Sequence, residues 1–138
     1  MALQFSETLR NNRINQFETT LATSPKLRIM SGPQPANCAA ADTGILLCEI
    51  TLPSDWLTSA AVGNKTKVGT WSGFGDVAAG SGTPAGHFRL KTNAGTITHC
   101  QGTVTVVGSG GNMTLDVNNI VTGQAVTVAT FSITDGNA

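Results

Sequence analysis

Few residues in this 138-residue chain could do chemistry. Two histidines, His87 and His99, and three cysteines, Cys38, Cys48 and Cys100, supply all of its imidazoles and thiols. One such pair is adjacent, His99 and Cys100, in the stretch GTITHCQGTVTVVGSGGNMTLDV (95–117). A thiol beside an imidazole could be a nucleophile with its base, and two thiols with a histidine could hold zinc. The stretch reads as β, however, and neighbours in a strand face opposite sides. Cys100 is in phase with Val104 and Val106 and is assigned to the core, while His99 is in phase with Thr103 and Thr105 and faces outward. Cys48 and Cys100 both point inward, and His87 and His99 both point outward. No ligand set converges, so no metal or other cofactor is expected. Three cysteines without a CxxC pair also argue against a disulfide framework or a zinc knuckle.

The other reactive groups are equally dispersed. Asp42, Glu49, Asp55, Asp76, Asp116 and Asp135 are scattered, and none forms the paired-carboxylate motif of a glycosidase. There is no G-x-S-x-G to build a nucleophile elbow. The cluster GSGGN (108–112) lacks the Lys-Ser/Thr of a phosphate loop and precedes a strand, so it is read as a hairpin turn. No catalytic residue is assigned and no enzyme is expected. Arg10 and Arg13 are less ordinary, because they sit in the first half of a helix, where the dipole disfavours cations. They either snorkel at the helix edge or pair with carboxylates on a partner, for which the guanidinium fork is suited.

The elements that must position these residues follow from the pattern of apolar positions. Residues 6 to about 22 form a helix capped by Ser6, with Ile14, Phe17 and Leu21 on one face. The rest is β. KLRIM is a short strand, followed by the turn-rich loop SGPQPANCAAADTG. In ILLCEITL (45–52), Leu46, Cys48, Ile50 and Leu52 take one face, Glu49 and Thr51 the other. Residues 58–65 read as loop, TKVGTW (66–71) as a strand, and SGFGDVAAGSGTPAG as a long flexible loop. HFRLKT places Phe88 and Leu90 inward, with His87, Arg89 and Lys91 outward. TITHCQGTVTVV, MTLDV and QAVTVATFSIT complete the strands. Short strands at regular spacing with Gly-rich turns predict an all-β single domain over 1–138, a jelly-roll-like barrel or sandwich, with the 1–22 helical segment packed on it or contacting a partner.

Composition narrows the function classes. Charged residues make up 12% of the chain, and eight basic side chains balance eight acidic ones. No basic field is present to gather nucleic acid or hold a membrane surface. No apolar run is long enough to span a bilayer. MALQF lacks the basic and apolar regions of a signal peptide, so synthesis in a cytoplasm is expected, and the N-x-T triplets at Asn64 and Asn112 are read as chance. Polarity comes instead from Thr, Ser, Asn and Gln, which cost less than charges to bury against a partner.

The segments MALQFSETLRNNRINQFETT, SGPQPANCAAADTG, LPSDWL, AGHFRL and GNMTLDVNNIVTGQAVTVATFSITDGNA, spread over nearly the whole chain, resemble small structural proteins of tailed bacteriophages. In particular they resemble the capsid cement (decoration) proteins, of the kind found on a Bordetella-type phage. The resemblance implies a jelly-roll-like barrel, a homodimer on the outer surface of the virion. Its implied partner is an HK97-like major capsid protein, whose neighbouring subunits it would clamp against the pressure of packaged DNA. The family carries no catalytic residues over to this chain. The contact surfaces expected here are the N-terminal segment, with Phe5, Arg10 and Arg13, and the loop around Phe74. In the plainer reading, Phe5 and Phe17 cover one open end of the barrel. The alternative is a tail or fibre receptor-binding domain or a carbohydrate-binding β module. A fibre would need a repetitive shaft, and a sugar module an exposed aromatic platform.

Overall fold

The computed structural model describes residues 2–136. Its one helix among these residues, α1 (Glu7–Leu21), begins where Ser6 Oγ accepts from the Leu9 amide at 3.2 Å. Ile14 and Leu21 are buried, and Phe17 packs half-buried against the core. The helix stops at Ala22, which takes φ 61° while its amide still bonds Glu18 O.

Nine strands follow: β1 (Lys26–Ser31), β2 (Leu46–Thr51), β3 (Asn64–Thr66), β4 (Ser72–Phe74), β5 (Thr83–Lys91), β6 (Thr98–Val106), β7 (Met113–Leu115), β8 (Asn119–Ile120) and β9 (Ala125–Thr134). They form one sheet of order β2-β1-β5-β6-β7-β9-β3, with β4 added to β9 and β8 to β5. The sheet curls into a half-barrel, the all-β architecture with a single N-terminal helix that the sequence pattern predicts. Its two ends approach each other where β4 pairs with β9 while a bridge joins Cys48 to Gly75. Glycine is required at that seam. A Cβ on Gly73 would lie 3.0 Å from Ile50 and 3.2 Å from the Cys48 thiol, and one on Gly75 would lie 2.0 Å from Val121 O.

Inside the curl, alternate residues of each strand meet. Leu27 and Ile29 of β1 lie in register with Leu90 and Phe88 of β5 and with Ile50 and Cys48 of β2, and all six are at most 1% exposed. Leu47 is buried as well, because the β1–β2 register shifts between Ile29 and Met30 and leaves an extra residue in β2, the signature of a bulge. A chain of rings, Phe17–Trp56–Trp71–Phe131–Phe88, runs from the helix through the core at centroid spacings of 5.9, 6.0, 5.5 and 5.8 Å. Both indole N–H groups are satisfied, Trp56 by Ala22 O and Trp71 by Val68 O. Trp56 therefore fixes both the packing of the helix and the carbonyl that ends it.

Three expectations of local structure fail. The strand expected at 66–71 lies earlier, at Asn64–Thr66, because the chain breaks at Gly69, φ 71°. SGFGDVAAGSGTPAG is not a long loop: it holds β4, a short 3₁₀ turn over Val77–Ala79 capped by Asp76, and the start of β5. Gly73, Gly75, Gly82 and Gly86 serve close contact, a Cβ there meeting a neighbour at 3.0 Å or less, whereas Gly80 takes φ 61° in open space. Finally, GSGGN does not make a hairpin, since β6 and β7 run parallel, Val104 opposite Met113. A parallel pair normally needs a crossover of a dozen or more residues. Here the chain doubles back along β6 on side-chain bonds: Asn112 Oδ1 accepts from Thr103 N and Oγ1, and Thr105 Oγ1 accepts from Gly111 N.

Candidate functional site

The outer face of β1, β2, β5 and β6 carries a row of polar residues in direct register, Glu49–Arg28–Arg89–Gln101. A second row sets Lys26 opposite both Thr51 and Lys91. Like charges placed directly opposite destabilise a sheet, so Arg28–Arg89 and Lys26–Lys91 demand a counter-charge. Asp42 supplies it from the loop between β1 and β2. Its carboxylate accepts from Arg89 at 2.7 Å, Lys91 at 2.8 Å and Arg28 at 2.9 Å. Glu49 accepts a bond from Arg28 at 2.7 Å and forms a looser ion pair with Lys26 at 3.8 Å.

The same face fastens the loop backbone. His87 Nδ1 lies 2.8 Å from Gly32 O and so donates to it, Gln101 Nε2 donates to Pro35 O at 2.8 Å, and Arg89 donates to Cys38 O at 2.8 Å and Ala40 O at 2.9 Å. The outward placement expected for His87, Arg89 and Lys91 does not leave them in solvent. They do point away from the barrel interior, but the 33–43 loop covers them, and they are only 0%, 1% and 6% exposed. His99 is exposed as expected. Among the described residues, His87 Nε2, Arg89 Nε and Gln101 Oε1 are buried without a hydrogen-bond partner.

Beside this cluster lies an open cavity of about 540 Å³, between the loop and the turn before β6. Arg89, Lys91 and Asp42 line it together with Cys38, Ile97 and Thr98. Burial opposes ionisation of Asp42, but hydrogen bonds from Lys91 and Arg28 and the charges of Lys91 and Arg89 outweigh it and hold the carboxyl below its usual range. The Arg28 guanidinium is raised, chiefly by its bond to Glu49. Cys48 and Cys100 are pushed up to about 11, in each case mainly by burial. Both thiols pack with the core, and no group of three His, Cys, Asp or Glu side chains that could hold a metal occurs among the described residues.

The residues singled out from the sequence fall in two places. Arg10, Arg13 and Phe5 meet at the end of β9: Arg10 Nε donates to Asp135 O at 2.8 Å and Arg10 Nη2 to Val62 O at 3.0 Å. Arg13 pairs with the Asp135 carboxylate and sits 4.5 Å over the Phe5 ring. Lys65, buried in β3, bonds Asn15 and pairs with Glu18 of α1. The helix cations thus latch α1 to the sheet. Phe74 lies elsewhere, 72% exposed on β4. The segment after it is bonded to the 121–124 turn through Gly75 N to Gln124 O and Gly123 N to Gly75 O, and these joined pieces also present Val77 and Val121.

The cavity and its cations were missed from sequence. The signal was K-x-R in β1 and H-x-R-x-K in β5, polar positions of the same parity in two strands, with Asp42 the one acid in the long loop between β1 and β2. Among the described residues no helix is long and apolar enough to cross a membrane. Comparisons with protein-family models, curated proteins and solved structures found no match.

Proposed function

We propose that this protein is a virion structural protein that binds the outer surface of an HK97-like capsid, as a homodimer, and cements neighbouring major capsid subunits against internal DNA pressure. The observation that carries the reading is the chain-wide resemblance to cement proteins of tailed phages. The segments bearing it make up the frame of the fold: α1, the loop that closes over β5, the Trp56 seat, β5 itself and the β7–β9 run.

The construction of the domain supports the reading. A cement must carry load without opening. Here the helix and the 33–43 loop are both locked to the sheet by ion pairs and by bonds to backbone carbonyls. Phe74 and Val77, 72% and 80% exposed, offer apolar contact to a shell. Both tryptophans are fully buried, which fits a core role and not the stacking platform of a sugar module. Each contact need be only modest, since a ligand that binds the assembled shell stabilises it by mass action and many copies add.

Co-sedimentation of the purified protein with mature, stripped phage heads tests this. Saturable pelleting at a stoichiometry comparable to the major capsid protein is the expected result. A folded chain that stays in the supernatant at all concentrations refutes the cement role.

A further inference from the structure

We propose that the cavity between the 33–43 loop and the turn before β6 receives the carboxylate of an acidic side chain on the major capsid protein. This rests on the cement reading and names the chemistry of one of its contacts.

The cluster at this cavity is out of balance. Four cations, Lys26, Arg28, Arg89 and Lys91, face two carboxylates, Asp42 and Glu49. Two positive charges remain unmatched in a chain whose total is neutral. Both cations that line the cavity keep donor capacity. Lys91 has three N–H bonds and gives one to Asp42, and Arg89 Nε–H is buried without an acceptor. Their side chains are 8% and 1% exposed, so their charge acts where solvent screens it weakly and an incoming anion is held more strongly than at an open surface.

The walls select what kind of anion enters. Alanines 39–41 and the exposed Ile97 give the mouth an apolar rim, and Thr98 lies beside it. An acidic side chain brings an aliphatic stem for that rim and a carboxylate for Lys91. The cavity, about 540 Å³, accommodates both. Exposure of Ile97 at 56% leaves the entrance accessible to a protruding residue.

Two measurements on the full chain test the proposal. In the first, backbone amide NMR shifts are followed as N-acetylglutamate, or inorganic phosphate, is added at constant ionic strength. Saturable shifts confined to residues 38–42 and 96–98 with N-acetylglutamate, abolished in Lys91→Met, are the expected result. An equal or stronger response to phosphate, or none to either, overturns the carboxylate assignment. In the second, Lys91→Met and Ile97→Asp are titrated on stripped heads. Lys91→Met leaves Asp42 paired with Arg28 and Arg89, and Ile97 is exposed, so both variants should melt as cooperatively as the parent. A loss of at least tenfold in apparent head affinity is expected for each. Parent-like binding by both overturns the inference and leaves the cement role standing. Failure of the unsubstituted protein to bind heads overturns that role and the partner named here together, whatever the NMR titration gives.

Discussion

Replacing Asp42 with Asn is the most exacting test of the account of the 33–43 loop. The substitution keeps shape and removes one negative charge that three cations share, at 2.7, 2.8 and 2.9 Å. Arg28 is more than a quarter exposed and retains Glu49, so it adds little, as surface pairs contribute at most about 1 kcal/mol. Arg89 and Lys91 are different: their side chains are 1% and 8% exposed and would be left as buried charges without a counter-ion. Breaking a buried pair in this way costs about 3–5 kcal/mol. For a domain of this size that corresponds to a fall in Tm of roughly 10–20 °C. The assay is urea and thermal unfolding followed by tryptophan fluorescence, since Trp56 and Trp71 are both in the core. The pH dependence has a fixed sign. The native carboxyl of Asp42 is held below its usual value, so its stabilisation is complete above the unfolded value of about 3.9 and lost as pH falls through the lower native one. The parent should lose that increment below about pH 4, and Asp42→Asn should lack it. A variant within about 0.5 kcal/mol of the parent, as for an ordinary surface change, would refute the claim that Asp42 holds the loop.

Other consequences are as direct. Cys48 and Cys100, raised to about 11, should hold roughly 10⁻³ of their thiol as thiolate at pH 8, against about a quarter for an unperturbed cysteine. Alkylation mapped by peptide mass spectrometry should therefore label both far more slowly than a free cysteine peptide under the same conditions. Gly86→Ala puts a methyl 2.1 Å from Gly32 O, the carbonyl bound by His87. The backbone must shift, at a cost of about 1–3 kcal/mol, and hydrogen exchange should quicken at residues 32–43 ahead of the rest of the chain. Arg10→Met removes the bonds to Asp135 O and Val62 O. It should cost about 1–3 kcal/mol and raise exchange in α1 while the β1–β5–β6 amides stay protected.

Much of the frame was legible because burial and period coincide there. Ile14, Phe17 and Leu21 sit three or four residues apart, and Ser6 is a side chain that caps, so α1 could be placed almost to the residue. Cys48, Ile50 and Leu52 alternate with Glu49 and Thr51 and are buried as expected, while the bulge leaves Leu46, expected with them, half-buried and buries Leu47 instead. The failures have a common cause, in that alternation reports which side a residue takes and not what lies over that side. Alternation puts Arg89 and Lys91 on the outward side, which they take, but a loop from some fifty residues earlier in the chain returns to cover them. The same holds for GSGGN, where glycines signal a reversal but the parallel return depends on Asn112 and Thr105 replacing ladder bonds. It holds for Gly73 and Gly75 too, where the neighbours that exclude a side chain come from distant strands. Arg10 and Arg13 were placed correctly on the helix, but Asp135, which engages both, is more than 120 residues away.

The placement of charge connects fold to function. Of the sixteen charged side chains, six form the cluster beside the cavity, three of them lining it, and six others, Glu7, Arg10, Arg13, Glu18, Lys65 and Asp135, hold α1 and the turn at Val62 to the sheet. Most of the charge is thus concentrated in two latches, one fastening α1 and the other the 33–43 loop to the sheet. Only Asp55, Lys67, Asp76 and Asp116 remain for the rest of the surface, which is otherwise left to hydroxyls, amides and single apolar side chains such as Phe74, Val77 and Ile97. Such a surface gives up little hydration when it lies against another protein, because removing charges from water is the costly step in burying an interface. In the carboxylate contact proposed above, the charge that meets the partner is the positive excess of the cluster, carried at the cavity by Arg89 and Lys91, which the fold has already largely removed from water. Their desolvation was met when the domain folded, so an incoming carboxylate gains their attraction at less cost than at an open surface. Under the proposed cement role, the broad polar surface would supply area for a shell contact and the cavity a fixed point to set its register.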